Sequence, residues 1–192
     1  MQYLHDLDIA KDDDVYPPSE DSILLVESFD VRQGERVLEI GCGSGIVSIH
    51  CALNGAEVSC GDINPKAVAL ARRNAEANGA RLDVRETDIY SAFSERYDTI
   101  IFNLPYLPVE EEGLLAKAWS GGADGMGPLP ELLEKAPEHL LPGGRVIVVV
   151  SSLMDQEKLD NLLKGRAVKE LGKLPLFFEV LRVLEIDSEE KK

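Results

Sequence analysis

Residues Val37–His50 read "VLEIGCGSGIVSIH". The run Val37-Leu38-Glu39-Ile40 has the β-branched, apolar character of a buried strand. Gly41, Gly43 and Gly45 follow, and Ile46 opens an apolar stretch with helical spacing. Strand, glycine loop and helix in that order form the first unit of an open α/β sheet. Glycine there lets the backbone come close to a ligand, and the helix start offers unpaired N–H groups. A dinucleotide site wants G-x-G-x-x-G, which counted from Gly41 requires glycine at position 46. The chain has Ile46 there, so a nicotinamide cofactor is disfavoured.

Working outward, strand-like runs occupy Arg36–Gly41, Glu57–Asp62, Leu82–Thr87, Tyr97–Asn103, Arg145–Ser151, Ala167–Lys173 and Phe177–Ile186. Helical segments Ser44–Leu53, Pro65–Asn78, Pro128–Leu140 and Asp155–Lys164 alternate with them. The link from Asp88 to Arg96 has room for a turn of helix only. This alternation predicts an α/β domain with a mostly parallel sheet. Asn64 and Pro65 suit a helix start, Asn78-Gly79 a helix end, and Pro142-Gly143-Gly144 a turn. Only Leu174-Pro175-Leu176 separates the last two strands, too little for a parallel crossover, so they pair antiparallel. At the front, "YPPSEDSILLVESF" reads as a helix with Ser19 as N-cap and Glu20 and Asp21 at the positive end of its dipole.

The 192 residues suit one domain, 44% hydrophobic and 29% charged. No run reaches the roughly 20 apolar residues of a membrane helix, and the acidic start "MQYLHDLDIAKDDD" lacks the form of a secretory signal. A cytoplasmic location is expected. Cys42, Cys51 and Cys60 lack the spacing of a zinc or redox site, the three histidines are scattered, and no metal is expected. The formal charge of −15 repels phosphate backbones, and no Lys/Arg-rich run offsets it. Nucleic acid is therefore disfavoured as an unaided partner.

Acidic residues recur where strands end. "EVSCGD" stops on Asp62, 17 residues after Gly45, and "ETDIY" places Asp88 after the third strand. A carboxylate at the end of the second strand is placed to accept hydrogen bonds from a ribose diol. The fourth strand ends in "NLPY", Asn103–Tyr106. Together "LEIGCGSG", "GDIN", "TDIY" and "NLPY" resemble the class I S-adenosylmethionine-dependent methyltransferases, over almost the whole chain. The resemblance implies a Rossmann-like, seven-stranded, mostly parallel sheet with a C-terminal antiparallel hairpin and helices on both faces. Residues 1–192 would form a single methyltransferase domain, with 1–30 as an N-terminal arm and capping helix and 31–192 as the core. It further implies that S-adenosylmethionine lies on the Gly41, Gly43 and Gly45 loop. Glu39 would sit near its methionine part, Asp62 on the ribose, Asp88 at the adenine amino group and Ile89 beside the ring. Ser22 would touch the cofactor, as would Asn103.

"NLPY" resembles the [N/D/S]-x-P-[Y/F/W] motif of methyltransferases acting on planar nitrogens. An amide nitrogen delocalises its lone pair and is a poor nucleophile. Asn103 would accept one N–H and the Leu104 carbonyl the other. Pro105 would hold Leu104 extended and Tyr106 would stack on the planar group. Catalysis would then proceed by orientation. Leu104 stands where proline is commoner, and rRNA adenine dimethyltransferases share NLPY. The acidic charge and the absence of a basic second domain argue against that alternative. "VYPPSEDSILL" and "AWSGGADG" (Ala118–Gly125) instead resemble the small HemK-related enzymes of archaea and eukaryotes. These methylate the glutamine of the GGQ loop in class-1 release factors, and relatives act on lysine. Pro17-Pro18 replaces the family's Glu-Pro. The resemblance implies a release factor as substrate and a small zinc-finger activator as heterodimer partner. The alternatives are adenine-N6 methylation of rRNA or DNA, lysine methylation, and a cofactor-binding scaffold without catalysis.

Overall fold

The computed structural model of the protein describes residues 1–190. Helix α1 (Glu20–Ser28) precedes β1 (Arg36–Ile40), α2 (Ile46–Leu53), β2 (Glu57–Asp62), α3 (Pro65–Ala77) and β3 (Leu82–Glu86). Strand β4 (Tyr97–Phe102), α4 (Leu129–His139), β5 (Leu140–Ser151), α5 (Gln156–Leu163), β6 (Arg166–Pro175) and β7 (Val180–Glu190) complete the described fold. The seven strands lie in the order β3-β2-β1-β4-β5-β7-β6. The first five are parallel, and β7 runs antiparallel to both β5 and β6. This is the sheet that the strand–helix alternation and the family resemblance imply.

Period-two alternation assigns each strand residue to a layer. Leu38, Ile40, Ile100, Phe102, Val146 and Val148 pack with Leu129, Leu132 and Leu133 of α4 and Leu159 of α5. Val37, Ile101, Ile147 and Val149 face the other way, against Leu25 and Val26 of α1 and Ile46, Val47 and Cys51 of α2. Both faces are covered, as a parallel sheet requires. Each parallel strand ends at the same edge of the sheet. The polarity of the strands therefore gathers the glycine loop, Asp62, Asp88 and Asn103 at that edge.

Several boundaries differ from the sequence reading. Ser19 occupies the N-cap position of α1 without capping it, because its Oγ donates instead to Glu20 Oε2 at 2.5 Å. Helix α2 starts at Ile46 rather than Ser44, since Gly45 is left-handed at φ 80°. Asn64 does cap α3, accepting from Lys66 N–H at 3.0 Å. No helix fills the link 88–96; two turns, Ser91 N–H to Asp88 O and Phe93 N–H to Tyr90 O, bury Tyr90 and Phe93 instead. Pro142-Gly143-Gly144 is a kink within β5, whose pairing jumps from Tyr97↔Leu140 to Thr99↔Arg145. Phe177 and Phe178 do not begin the last strand. They form the tip of a turn closed by Leu176 N–H to Glu179 O at 2.8 Å.

The N-terminal arm crosses α2 and α3 and is pinned by side-chain amides. Asn78 Oδ1 accepts from Asp8 N–H at 2.8 Å, Asn74 Oδ1 from Ala10 N–H at 2.9 Å, and Asn64 Nδ2 donates to Asp14 O at 2.8 Å. His50 Nε2 accepts from Leu4 N–H at 2.9 Å and Tyr3 stacks on the same ring. This strap delivers Val15, Tyr16 and Pro17 to the edge of the sheet where the strands end.

Candidate active site

One cleft of about 750 Å³ opens at that edge, within the size range of small-molecule sites. It is lined by Ser22, Glu39, Gly41, Gly43, Asp62, Asp88, Ile89, Asn103, Leu104, Pro105 and Tyr106. Of the residues that the sequence nominates, Gly45 alone is off the lining. It starts α2 one step behind, where an added Cβ would meet Ala71 of α3 at 3.1 Å.

The three loop glycines have different physical reasons. All are left-handed, with φ of 65°, 52° and 80°. A Cβ on Gly41 would lie 2.6 Å from the Phe102 ring, so glycine lets the end of β4 pack over the loop. A Cβ on Gly43 would meet nothing nearer than Tyr16 O at 3.9 Å. Gly43 thus borders open space, and its missing side chain is room for a ligand.

Asp62 does more than wait for a diol. Its Oδ2 accepts from Gly43 N–H and its Oδ1 from Asn64 N–H, each at 2.9 Å. It ties the glycine loop to the start of α3, and a carboxylate's roughly four acceptor positions leave capacity for two hydroxyls. Burial raises its pKa against those hydrogen bonds. Glu39 is 2% exposed and accepts from both the N–H and the hydroxyl of Ser48, on Oε2. Burial pushes its carboxyl up to about 8, opposed by the Ser48 bonds.

Asp88 is exposed on the rim, its N–H held by Ser91 Oγ at 3.0 Å. Ile89 is a β-branched residue at φ 47°, an uncommon and strained conformation. Thr87, buried beneath it, donates to the Ile89 carbonyl at 3.1 Å and holds that geometry. Ser22 is buried, and its Oγ donates to Asp21 Oδ1 at 3.2 Å.

Asn103 leaves β4 at the floor of the cleft. Its Oδ1 is buried and has no hydrogen-bond partner, the only such side-chain atom lining the cleft among the described residues. An unsatisfied buried acceptor costs about 1–3 kcal/mol, so a donor belongs there. Leu104 and Pro105 are buried. Tyr106 is partly buried and packs against both main clusters of the core, so its ring fastens the motif as well as lining the site. Burial raises its hydroxyl pKa, with the Asp21 and Glu179 charges adding to the effect.

The "GGADGMG" stretch braces this motif from behind. A Cβ on Gly125 would lie 2.6 Å from Tyr106 O, and one on Gly127 2.7 Å from Pro105 O. Gly121 N–H donates to Leu107 O, and Gly127 N–H to Gly121 O. Trp119 lines the cleft, donates Nε1–H to Glu111 at 2.9 Å and faces Tyr16 of the arm at 6.4 Å. Sequence reasoning named Ala118–Gly125 without a task; Gly125 at its end holds the backbone of Tyr106, and Gly127 just beyond it that of Pro105. It missed Thr87, Tyr16 and the cleft position of Asp21. Only the "YPPSED" run offered a signal for the last two.

The donor set fits S-adenosylmethionine: an open glycine loop, two carboxylates with spare acceptor capacity, and an apolar wall at Ile89. Besides the buried Glu39, four carboxylates line the cleft, Asp14, Asp21, Asp62 and Asp88, against one cation, Lys117. That balance favours a positively charged ligand.

Known proteins resemble this chain in sequence and in fold. The family described as methyltransferase small domain matches residues 19–173. A protein of Methanocaldococcus jannaschii, provisionally named a protein N5-glutamine methyltransferase, is 39% identical over 178 residues, covering 89% of this chain and 90% of that one. The Mus musculus methyltransferase HEMK2 is 33% identical over 172 residues, covering 81% and 80% of the two chains. Among solved structures, the E. cuniculi Mtq2-Trm112 complex, responsible for methylation of the termination factor eRF1, superposes with a TM-score of 0.73. The two are 18% identical, with 92% of this chain and 99% of that one covered. The chain belongs to the methyltransferase small domain family.

Proposed function

We propose that the chain is an S-adenosylmethionine-dependent N-methyltransferase whose acceptor is the side-chain amide of the glutamine in the GGQ loop of a class-1 translation release factor. The single observation that carries an –NH₂ acceptor is the orphaned Asn103 Oδ1 beside the rigid Leu104-Pro105 backbone. An –NH₂ group carries two N–H donors, and this corner offers two carbonyl-type acceptors. The names of the relatives from M. jannaschii and mouse support the same reading, as a protein amide and a HemK-related chain respectively.

When bound, S-adenosylmethionine supplies an electrophilic methyl group on a sulfonium. Asp62, Asp88, Glu39, Ser22 and the glycine loop are the residues that would hold it. Asn103 accepts one amide N–H and the Leu104 carbonyl accepts the other, which fixes the amide plane so that the nitrogen lone pair, perpendicular to it, faces the donor. Pro105 keeps that carbonyl from rotating. Tyr106 lays its ring beside the planar amide. The acceptor's proton leaves to water; alignment supplies the rate and no dedicated base is required.

Adenine in RNA also presents an –NH₂ on a planar group. The acidic cleft repels a phosphate backbone and disfavours that acceptor. A small zinc-finger activator is a further proposed partner, supported by the two-chain composition of the E. cuniculi complex. Among the described residues no helix is long and apolar enough to cross a membrane. Transfer of labelled methyl from S-adenosylmethionine tests the reading, with a release factor, an rRNA fragment and a lysine-rich histone as competing acceptors. The release factor should be labelled; labelling of RNA or histone alone would replace the proposal.

A further inference from the structure

The β6–β7 turn carries the most exposed aromatic side chains among the described residues. Phe177 is 92% and Phe178 84% exposed, and the two rings meet edge to face at 4.6 Å. Exposed singly, an apolar residue needs no explanation; two adjacent phenylalanines on a rigid tip do. The turn is well fixed. Leu176 N–H donates to Glu179 O, Val180 N–H to Ser152 Oγ at 2.9 Å, and Glu179 accepts from Ser151 Oγ at 2.5 Å.

The topology puts this tip at the same edge of the sheet as the cleft. β7 is antiparallel to β5, so it begins where β5 ends, with Leu181 opposite Ser151. Phe102, just before Asn103, is level with Val148. Ser151 therefore stands about 10 Å beyond that level, and β7 lies two strand spacings, about 10 Å, to the side. Glu179 is close enough for its charge to raise the Tyr106 and Tyr16 hydroxyl pKa values, after burial and nearer acids. A standard protein interface of about 800 Å² per partner spans both the cleft mouth and the tip.

We propose that Phe177 and Phe178 are the anchor of a docking surface for the protein substrate itself, and that this substrate is basic around its methylated loop. The inference rests on the reading of the acceptor as a glutamine in a protein. The charge of the surroundings selects the occupant. Glu20 and Glu179 are near enough to act on Tyr16 and Tyr106 of the cleft wall, and in the exposed run Glu110-Glu111-Glu112 the middle residue is tied to Trp119 of that wall. Aromatic anchors supply affinity at the centre of an interface, and opposite charge on the rim supplies orientation and on-rate. The same acids repel an anionic membrane or RNA, the other surfaces that exposed phenylalanines serve.

The test is the double variant Phe177→Ala/Phe178→Ala. Both side chains are exposed, so the fold should be unaffected. Binding of a class-1 release factor, followed by fluorescence anisotropy, should weaken 10-fold or more. In turnover KM should rise by a similar factor, with kcat within twofold and S-adenosylmethionine affinity unchanged. Binding of the wild type should also weaken as salt rises from low to physiological. If the wild type methylates the release factor and the double variant binds it equally well, the docking surface is refuted while the acceptor stands. If the wild type binds the factor but does not methylate it, and the variant loses binding, the acceptor is refuted while the surface stands. Loss of a self-associated species or of RNA binding in the variant, with release-factor binding intact, would assign the phenylalanines to that occupant and overturn the proposal.

Discussion

Gly127→Ala should damage turnover without touching the cofactor. The new Cβ would lie 2.7 Å from the Pro105 carbonyl oxygen, at a backbone φ of 46°. Two costs follow. A left-handed alanine costs about 1–2 kcal/mol, which in a protein of this size lowers Tm by roughly 2–8 °C. Relief of the clash requires Pro105 or its neighbour to move by about half an ångström or more, and Pro105 sits between Leu104 and Tyr106 in the proposed acceptor motif. Misplacement on the scale of 1 Å costs about 10²-fold in rate, so kcat should fall by roughly 10- to 100-fold. S-adenosylmethionine affinity should hold, because Asp62 and the glycine loop are untouched. Gly79→Ala is the matched control. Gly79 has φ 64° with nothing within 4 Å of an added Cβ, so it carries the backbone cost alone. Single-turnover kinetics and calorimetry on the two variants separate the terms. Equal kcat in Gly127→Ala and wild type would refute the bracing role of this segment.

Asp62→Ala removes the acceptor of the Gly43 and Asn64 N–H groups as well as the proposed cofactor contact, and should weaken S-adenosylmethionine by about 1.5–3 kcal/mol; unchanged affinity by calorimetry would take Asp62 out of the site. Burial keeps the Glu39 carboxyl protonated up to about pH 8, whereas the unfolded chain ionises it near about 4.3. The folded state therefore holds the extra proton between those values, and unliganded stability should fall by a few kcal/mol as pH climbs from about 4.5 to about 8. Asp62, also raised by burial, adds the same sign. Denaturant titrations of Glu39→Gln should show a flatter pH profile, and an identical one would contradict the assignment. Naked rRNA should bind weakly and only at low salt; methylation of rRNA adenine by the isolated chain at physiological salt would favour the alternative acceptor.

The sequence was most legible where one residue type has one physical use. Gly41 and Asn103 directly follow strands and Asp62 ends one, and strand polarity alone brings them to one edge. Leu174-Pro175-Leu176 announced an antiparallel hairpin, but not that Phe177 and Phe178 form its tip. Their β propensity is high, and only the register of β6 on β7 excludes them from pairing. The helix expected from Ser44 was shortened because Gly45 adopts a left-handed conformation that no spacing rule specifies. Ser19 lost its cap to an adjacent carboxylate. The bracing of Pro105 by Gly127 is a contact between backbones 22 residues apart, and composition carries no trace of it. The same is true of the Asn64, Asn74 and Asn78 strap, in which exposed-looking helix residues hold the arm.

The central claim is that Asn103 presents a protein amide nitrogen for methylation. The most direct measurement is tandem mass spectrometry of a class-1 release factor after incubation with S-adenosylmethionine and either the wild-type chain or Asn103→Ala. The account predicts one methyl group on the GGQ glutamine with the wild type, and a rate about 10²-fold lower with the variant, on the scale of one lost orienting hydrogen bond, at unchanged cofactor affinity. A methyl group on any other residue, or full activity in Asn103→Ala, would contradict it.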